Sequence, residues 1–138
     1  MIRKLRHGHT NYRNIKRFIS ALDKSFDNDN FHKHYTAEGY MDLVVEYIGT
    51  HNILNLPAYS IAHYYTQNDD LMRDPEMVIA VDYDNETVYP CSFTQDNLGM
   101  YQEVYFSQNG TKIVRKQLRT DLDNFLYSWL NNINIQGF

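Results

Sequence analysis

Cysteine is nearly absent from this chain, and so are the motifs of common enzyme chemistries. The single Cys91 cannot close an internal disulfide and leaves no cysteine-rich metal site, so a reducing, cytoplasmic setting is the expectation. No stretch approaches the roughly 18 consecutive apolar residues that a membrane-crossing helix needs, and no apolar run of signal-peptide length follows the basic N-terminal residues. The reading is therefore of a chain that neither spans a membrane nor is secreted. There is no Gly-x-Ser-x-Gly elbow, no phosphate-binding loop and no dinucleotide fingerprint, so no catalytic residue and no cofactor is assigned. Internal repeats and low-complexity linkers are also missing, and 138 residues suit one domain rather than two.

Aromatic side chains are plentiful, with 12 Tyr and 7 Phe available to anchor a core or an interface. Charge is unevenly spread. Residues 1 to 24 carry seven Lys or Arg against the single Asp23, residues 25 to 110 carry Lys33 and Arg73 against fourteen acids, and residues 111 to 138 carry four bases against Asp121 and Asp123. Basic ends and an acidic middle fit either a nucleic-acid-binding arm on an acidic body or ends that fold back onto the centre.

Tyr12, Ile15, Phe18, Ile19, Leu22 and Phe26 recur at steps of three and four and predict a helix from Asn11 to Phe26, capped by Thr10 or Asn11 and ended by Asp27-Asn28-Asp29-Asn30. Met41, Val44, Val45 and Ile48 predict a second helix from Ala37 to Ile48, with Gly49 as its stop. After Pro57 the period becomes two. Strands are predicted over Tyr59–Thr66, Met77–Tyr83, Glu86–Phe93 and Tyr101–Ser107, with Gln67 to Pro75 a polar connection, Pro90 at an edge or bulge, and Asn109-Gly110 turning into Thr111–Val114. Leu118, Leu122, Phe125, Leu126, Trp129, Leu130 and Ile133 predict a closing helix. The expected fold is α+β: two N-terminal helices, an antiparallel meander of about four strands, and a C-terminal helix packed on the sheet. Residues 1–36 form its basic helical region and 37–138 its α+β core.

Candidate sites are few. His7-Gly8-His9 and His32-Lys33-His34 do not match a metal-ligand pattern, so no metal is assigned. Cys91 reads as a small buried hydrophobe. Asp69, Asp70, Asp74 and Glu76 lack the ligand spacing of a calcium loop, and with Arg73 they read as a Pro75-stiffened turn. As an alternative to a purely structural turn, Asp69, Asp70, Arg73, Asp74 and Glu76, with Tyr64 before them, are the candidate partner-binding residues. Arg13, Lys16 and Arg17 are the candidates for touching nucleic acid.

The run Tyr59-Ser60-Ile61-Ala62-His63-Tyr64-Tyr65-Thr66-Gln67-Asn68-Asp69-Asp70-Leu71-Met72-Arg73-Asp74-Pro75-Glu76-Met77 resembles an uncharacterised domain family of phages, plasmids and conjugative elements of low-GC Gram-positive bacteria. In that family a strand enters a Gln-Asn-Gly-Asp-Leu-x-x-Asp-Pro-like turn, and here Asp69 stands where the family usually has Gly. Asn97-Leu98-Gly99-Met100-Tyr101-Gln102 and Trp129 to Phe138 are similar to other family features, so the likeness runs from about residue 38 to the end. It brings no catalytic residues. It implies a small accessory protein of a mobile element, and such proteins often bind host machinery. The expected function is therefore non-enzymatic binding of a host protein, in its specific form as an anti-CRISPR inhibitor of an effector nuclease. The alternative is a nucleic-acid-binding accessory protein that uses the basic N-terminal helix. A homodimer is expected if Tyr59, Tyr64 and Tyr65 form an exposed row on an edge strand.

Overall fold

The computed structural model describes residues 5–19 and 32–138. In chain order the elements are α1 (Gly8–Lys16), β1 (His32–Tyr35), β2 (Asp42–Thr50), β3 (Pro57–Gln67), β4 (Asp70–Asp82) and β5 (Thr87–Gln95). A 3₁₀ turn at Asp96–Leu98, β6 (Met100–Glu103), β7 (Tyr105–Gln108), β8 (Thr111–Val114) and α2 (Lys116–Gln136) complete them. Strands β1 to β6 form one antiparallel sheet in chain order, and β7 pairs with β8 in a separate two-stranded sheet.

This architecture overturns the expected four-strand meander behind two N-terminal helices. The segment predicted as the second helix is β2. Leu43 and Val45 are buried while Val44 between them and Glu46 after them are half-buried, an alternation that a short apolar run shares with a helical stripe until strand partners are known. The Val-Val pair and Tyr47 suit a pleated surface better than a helix. Gly49 does not stop a helix. It takes φ 100° where the β2–β3 register slips, the conformation a bulge demands and a β-carbon resists.

The expected N-terminal helical region contains strand β1, which pairs with β2 through His32–Glu46 to Tyr35–Leu43. The helix expected over Asn11–Phe26 begins earlier, at Gly8, and its expected second half from Ser20, the Asp27–Asn30 turn, and Arg3, Lys4 and Lys24 lie outside the described residues. Asn11 is no cap. It is buried within α1 and donates from Nδ2 to Asp123 O at 3.3 Å and Oδ1 at 3.4 Å. The start of α1 is held from α2, because the His7 N–H donates to Asp123 Oδ2 at 2.9 Å. Gly8 allows the close approach to the sheet, since a β-carbon there would stand 2.8 Å from Thr87 Cγ2.

Both helices pack on one face of the sheet. Cross-strand partners share a face, and the rows Leu43–His63, Val45–Ile61–Met77–Phe93 and Tyr59–Ile79 all point to the helix side. Phe93 meets Phe125, His63 meets Trp129, and Tyr12 meets Tyr83, whose hydroxyl lies 2.8 Å from that of Tyr59. The apolar stripe of α2 is buried here through Leu122, Leu126, Trp129, Leu130 and Ile133. The predicted fourth strand is broken at Val104, which donates its N–H to Cys91 O and sends the chain away as the β7–β8 hairpin. Among the described residues, Asn11 Oδ1 is buried with no hydrogen-bond partner.

The expected polar connection is instead a tight hairpin. Gln67 pairs with Asp70, and the two residues between them, Asn68 and Asp69, both have positive φ, 53° and 67°. That is the geometry of a two-residue turn for which Asn-Gly is the favoured pair, since only glycine meets no β-carbon penalty there. Pro75 does not end the strand, because it falls where the β3–β4 register slips between Ala62–Glu76 and Tyr64–Arg73. Asp69→Gly is expected to stabilise the protein by about 0.5 to 1 kcal/mol, by relieving the left-handed backbone. A lower urea midpoint for the variant contradicts this account of the turn.

Candidate functional site

The face of the sheet opposite the helices carries a different set of residues. Register places Glu46, Ser60, Val78, Ser92 and Glu103 in one row across β2 to β6, and Val44, Ala62, Glu76, Thr94 and Tyr101 in the next. A third row begins with Asp42, Tyr64 and Arg73. Among the described residues neither helix packs on this face. Its floor is nonetheless buried: Ser60, Ala62, Ser92 and Thr94 are short and only 0 to 7% exposed. Tyr101 at the rim is 64% exposed, and Leu71, one pleat beyond Arg73 along β4, is 66% exposed.

Three glutamates from three alternate strands, Glu46, Glu76 and Glu103, share this surface. Glu76 is held in place. Ser60 Oγ donates to its Oε2 at 3.0 Å, and Arg73 Nη1 lies 3.5 Å from its Oε1. Burial and then the carboxylates of Glu76 and Glu46 push the Tyr64 phenol above its ordinary range. Burial and then Glu103 and Glu76 do the same to Tyr101. The face is thus acidic and flanked by two tyrosines.

Arg73 closes one end. Its guanidinium forms a fork on Asp96, with Nε to Oδ2 at 3.0 Å and Nη2 to Oδ1 at 2.9 Å, while its backbone N–H donates to Oδ2 at 2.8 Å. Such two-pronged pairing fixes geometry as well as charge. Gln95 Nε2 donates to Asp74 Oδ1 at 2.9 Å, so the β3–β4 hairpin is tied twice to the end of β5 and the turn after it. Of the residues singled out by sequence, Tyr64, Arg73 and Glu76 therefore come together, Asp74 is bonded separately to Gln95, and Asp69 and Asp70 stand exposed at the hairpin tip. Glu46 and Glu103 were not singled out. Their signal is a carboxylate at an alternating strand position, which gains meaning only when register brings distant strands together.

The other candidates lie elsewhere. Arg13, Lys16 and Arg17 are exposed at α1 and just beyond it, on the opposite side of the sheet from the glutamates. Arg17 Nη2 donates to Phe138 O at 2.6 Å, and its guanidinium lies over the Phe18 ring. His7 stacks on Tyr127, His9 Nδ1 lies 3.1 Å from Glu86 O, and His34 Nε2 lies 2.7 Å from Asp42 Oδ2. Among the described residues no group of three His, Cys, Asp or Glu is placed to hold a metal ion, and no helix is long and apolar enough to cross a membrane. Cys91 is buried and its thiol is pushed up to about 12 by that burial. Tyr59 is 0% exposed on an interior strand, so the exposed edge row on which a homodimer was expected does not form.

The fold and this surface define a sheet protein with both described helices on one side and an acidic face on the other. A family model described as a domain of unknown function (DUF6908) matches residues 13–138, and the chain belongs to that family. No curated protein and no solved structure matches it. The match begins within α1 and so extends further toward the N-terminus than the likeness noted from about residue 38.

Two measurements check this description. The Arg73 hydrogen bonds hold the Asp96 carboxyl below its ordinary value, so this pair contributes stability above the unfolded Asp pKa of about 3.9 and loses it as pH falls through the lower folded value. NMR titration should show the Asp96 midpoint rising toward the ordinary range in Arg73→Gln, the backbone N–H still donating; an unchanged midpoint contradicts the pairing. Cys91 should resist a thiol-reactive dye at pH 8 until denaturant unfolds the protein, and rapid labelling of the native state refutes its burial.

Proposed function

We propose that this chain is a non-enzymatic accessory protein of a mobile genetic element, one that binds a host protein through the open acidic face of its sheet. The observation that carries the reading is the presence of Glu46, Glu76 and Glu103 together over a floor of Ser60, Ala62, Ser92 and Thr94. Fixed negative charge beside accessible aromatic and aliphatic side chains suits a basic protein surface, where complementary charge speeds encounter and rejects acidic partners. The exposed tip at Asp69 and Asp70 extends the same charge beyond the sheet. In its specific form the target is the basic nucleic-acid channel of a CRISPR effector, which such a face would occupy in place of nucleic acid.

Charge reversal tests both levels. In cells with an active CRISPR system, the wild-type protein should restore phage plating and co-purify with the effector less well as salt rises. The double variant Glu46→Lys and Glu103→Lys, shown to fold by its circular dichroism and melting curve, should do neither. No restoration by the wild type removes the CRISPR form. Chemical cross-linking in host cells that yields the same partners for wild type and variant removes the acidic-face reading altogether.

A second reading has one observation in its favour, the exposure of Arg13, Lys16 and Arg17 together at α1. A gel shift of DNA or RNA at low salt that disappears when all three are neutralised supports it. Absence of any shift at low salt ends it.

A further inference from the structure

We infer that His63 is a proton-operated switch on the β3–β4 hairpin. When its ring takes a second proton, the Asp74 carboxylate leaves Gln95 and turns to the imidazolium, and one of the two ties between the hairpin and β5 opens.

Register puts the two groups together. Strands β3 and β4 pair as Ala62–Glu76 and then as Tyr64–Arg73, so His63 alone stands across from two residues of β4, Asp74 and Pro75. On the helix side of the sheet His63 is 8% exposed, with the Trp129 ring 5.6 Å away and the Phe138 ring 5.4 Å away. Its Nδ1 lies 3.1 Å from Met41 O and 3.3 Å from Asp42 O, the backbone that leads into β2. Carbonyl oxygens only accept, so Nδ1 carries the hydrogen of the neutral ring and a second proton goes to Nε2. The ring is thus pinned to β2, while Asp74 belongs to β4 on the other side of β3.

The surroundings decide where the new N–H goes. Burial holds the His63 imidazole below its ordinary value, against the opposing pull of the Asp42 and Met41 carbonyls and of Asp74. On β2 the Asp42 carboxylate lies 2.7 Å from His34 Nε2 of β1. Beyond α1, Arg17 donates to Phe138 O, and α2 presents the uncharged Trp129. Asp74 is the remaining carboxylate that acts on the ring, and its present donor is a neutral amide, Gln95 Nε2 at 2.9 Å from Oδ1. A hydrogen bond from an ionised donor is roughly twice as strong as one from a neutral donor, so an imidazolium displaces the amide. The fork of Arg73 on Asp96 then holds the hairpin alone. Because the folded value is the lower one, the stability contributed by neutral His63 is full above the unfolded histidine pKa of about 6.5 and is lost as pH falls through that value toward the folded one.

NMR titration of the full chain from about pH 8 to about pH 5 tests the switch. The His63 ring carbons and the Gln95 side-chain amide should move together, with one midpoint below about 6.5, while the Arg73 Nε–H signal stays in place. In Asp74→Asn the side chain still accepts from Gln95 but carries no charge, so the Gln95 amide should stop following pH and the His63 midpoint should fall further. In His63→Gln the Gln95 amide should be flat across the same range; should that variant not fold, Asp74→Asn decides. A purely structural His63 would titrate with the Gln95 amide unmoved, and that result overturns the switch. So does a Gln95 amide that still follows pH in Asp74→Asn, or a His63 midpoint at or above the ordinary value.

Discussion

Leu43, Val45, Tyr59, Ile61, Met77 and Ile79 line one face of the six-stranded sheet, and the burial of that face beneath α1 and α2 is the interaction on which the remaining structure depends. Removing such side chains from water is the principal favourable contribution to a domain of this size, each worth roughly 1.5 to 3 kcal/mol before the entropy of ordering is subtracted. The helices are held to each other as well as to the sheet. One carboxylate, Asp123, accepts from the backbone of His7 and from Asn11, and its burial raises its pKa above the ordinary carboxylate value. That places a polar tie inside an otherwise apolar layer. Such ties are kept when every group finds a partner and are costly when one does not.

A sheet has two faces, and the described helices of this chain cover one. The second face must be tolerable in water or covered by something else, and its composition shows how it is made tolerable. Small residues lie at the centre, carboxylates and phenols stand around them, and a forked Arg73–Asp96 pair pins the hairpin that borders them. The exposed bases Arg13, Lys16 and Arg17 belong to the helix layer, whereas Glu46, Glu76 and Glu103 belong to the other face of the sheet.

What could be read in advance follows from the range of each signal. The C-terminal helix announced itself because Leu122, Leu126, Trp129 and Ile133 repeat over many turns, and the length of that repeat leaves little ambiguity. The strand at β2 did not, because Met41, Leu43, Val44, Val45, Tyr47 and Ile48 crowd one short run that fits two periods, and the arbiter, pairing with β1 and β3, lies outside the segment. The hairpin at Asn68-Asp69 was obscured by Asp at a left-handed position where glycine is the usual signal, and by Pro75, whose missing N–H is harmless only because a register slip accommodates it. Half of the candidate site was legible for the same reason. Tyr64, Arg73 and Glu76 lie close in sequence, while Asp96 comes from the turn after β5 and Glu46 and Glu103 from strands β2 and β6.

By itself, then, the sequence determined the absence of a disulfide framework, the amphipathic closing helix, the burial of Cys91 and the separation of charge along the chain. Each of these depends on composition or on contacts within a few residues. Tertiary structure alone decided the six-stranded order, the capping of α1 by a residue of α2, and the gathering of three glutamates on one face. Those depend on register between strands, and a shift of one residue would turn every side chain of a strand to the other face. No local pattern in 138 residues fixes that register; it is set by which apolar face the helices can bury.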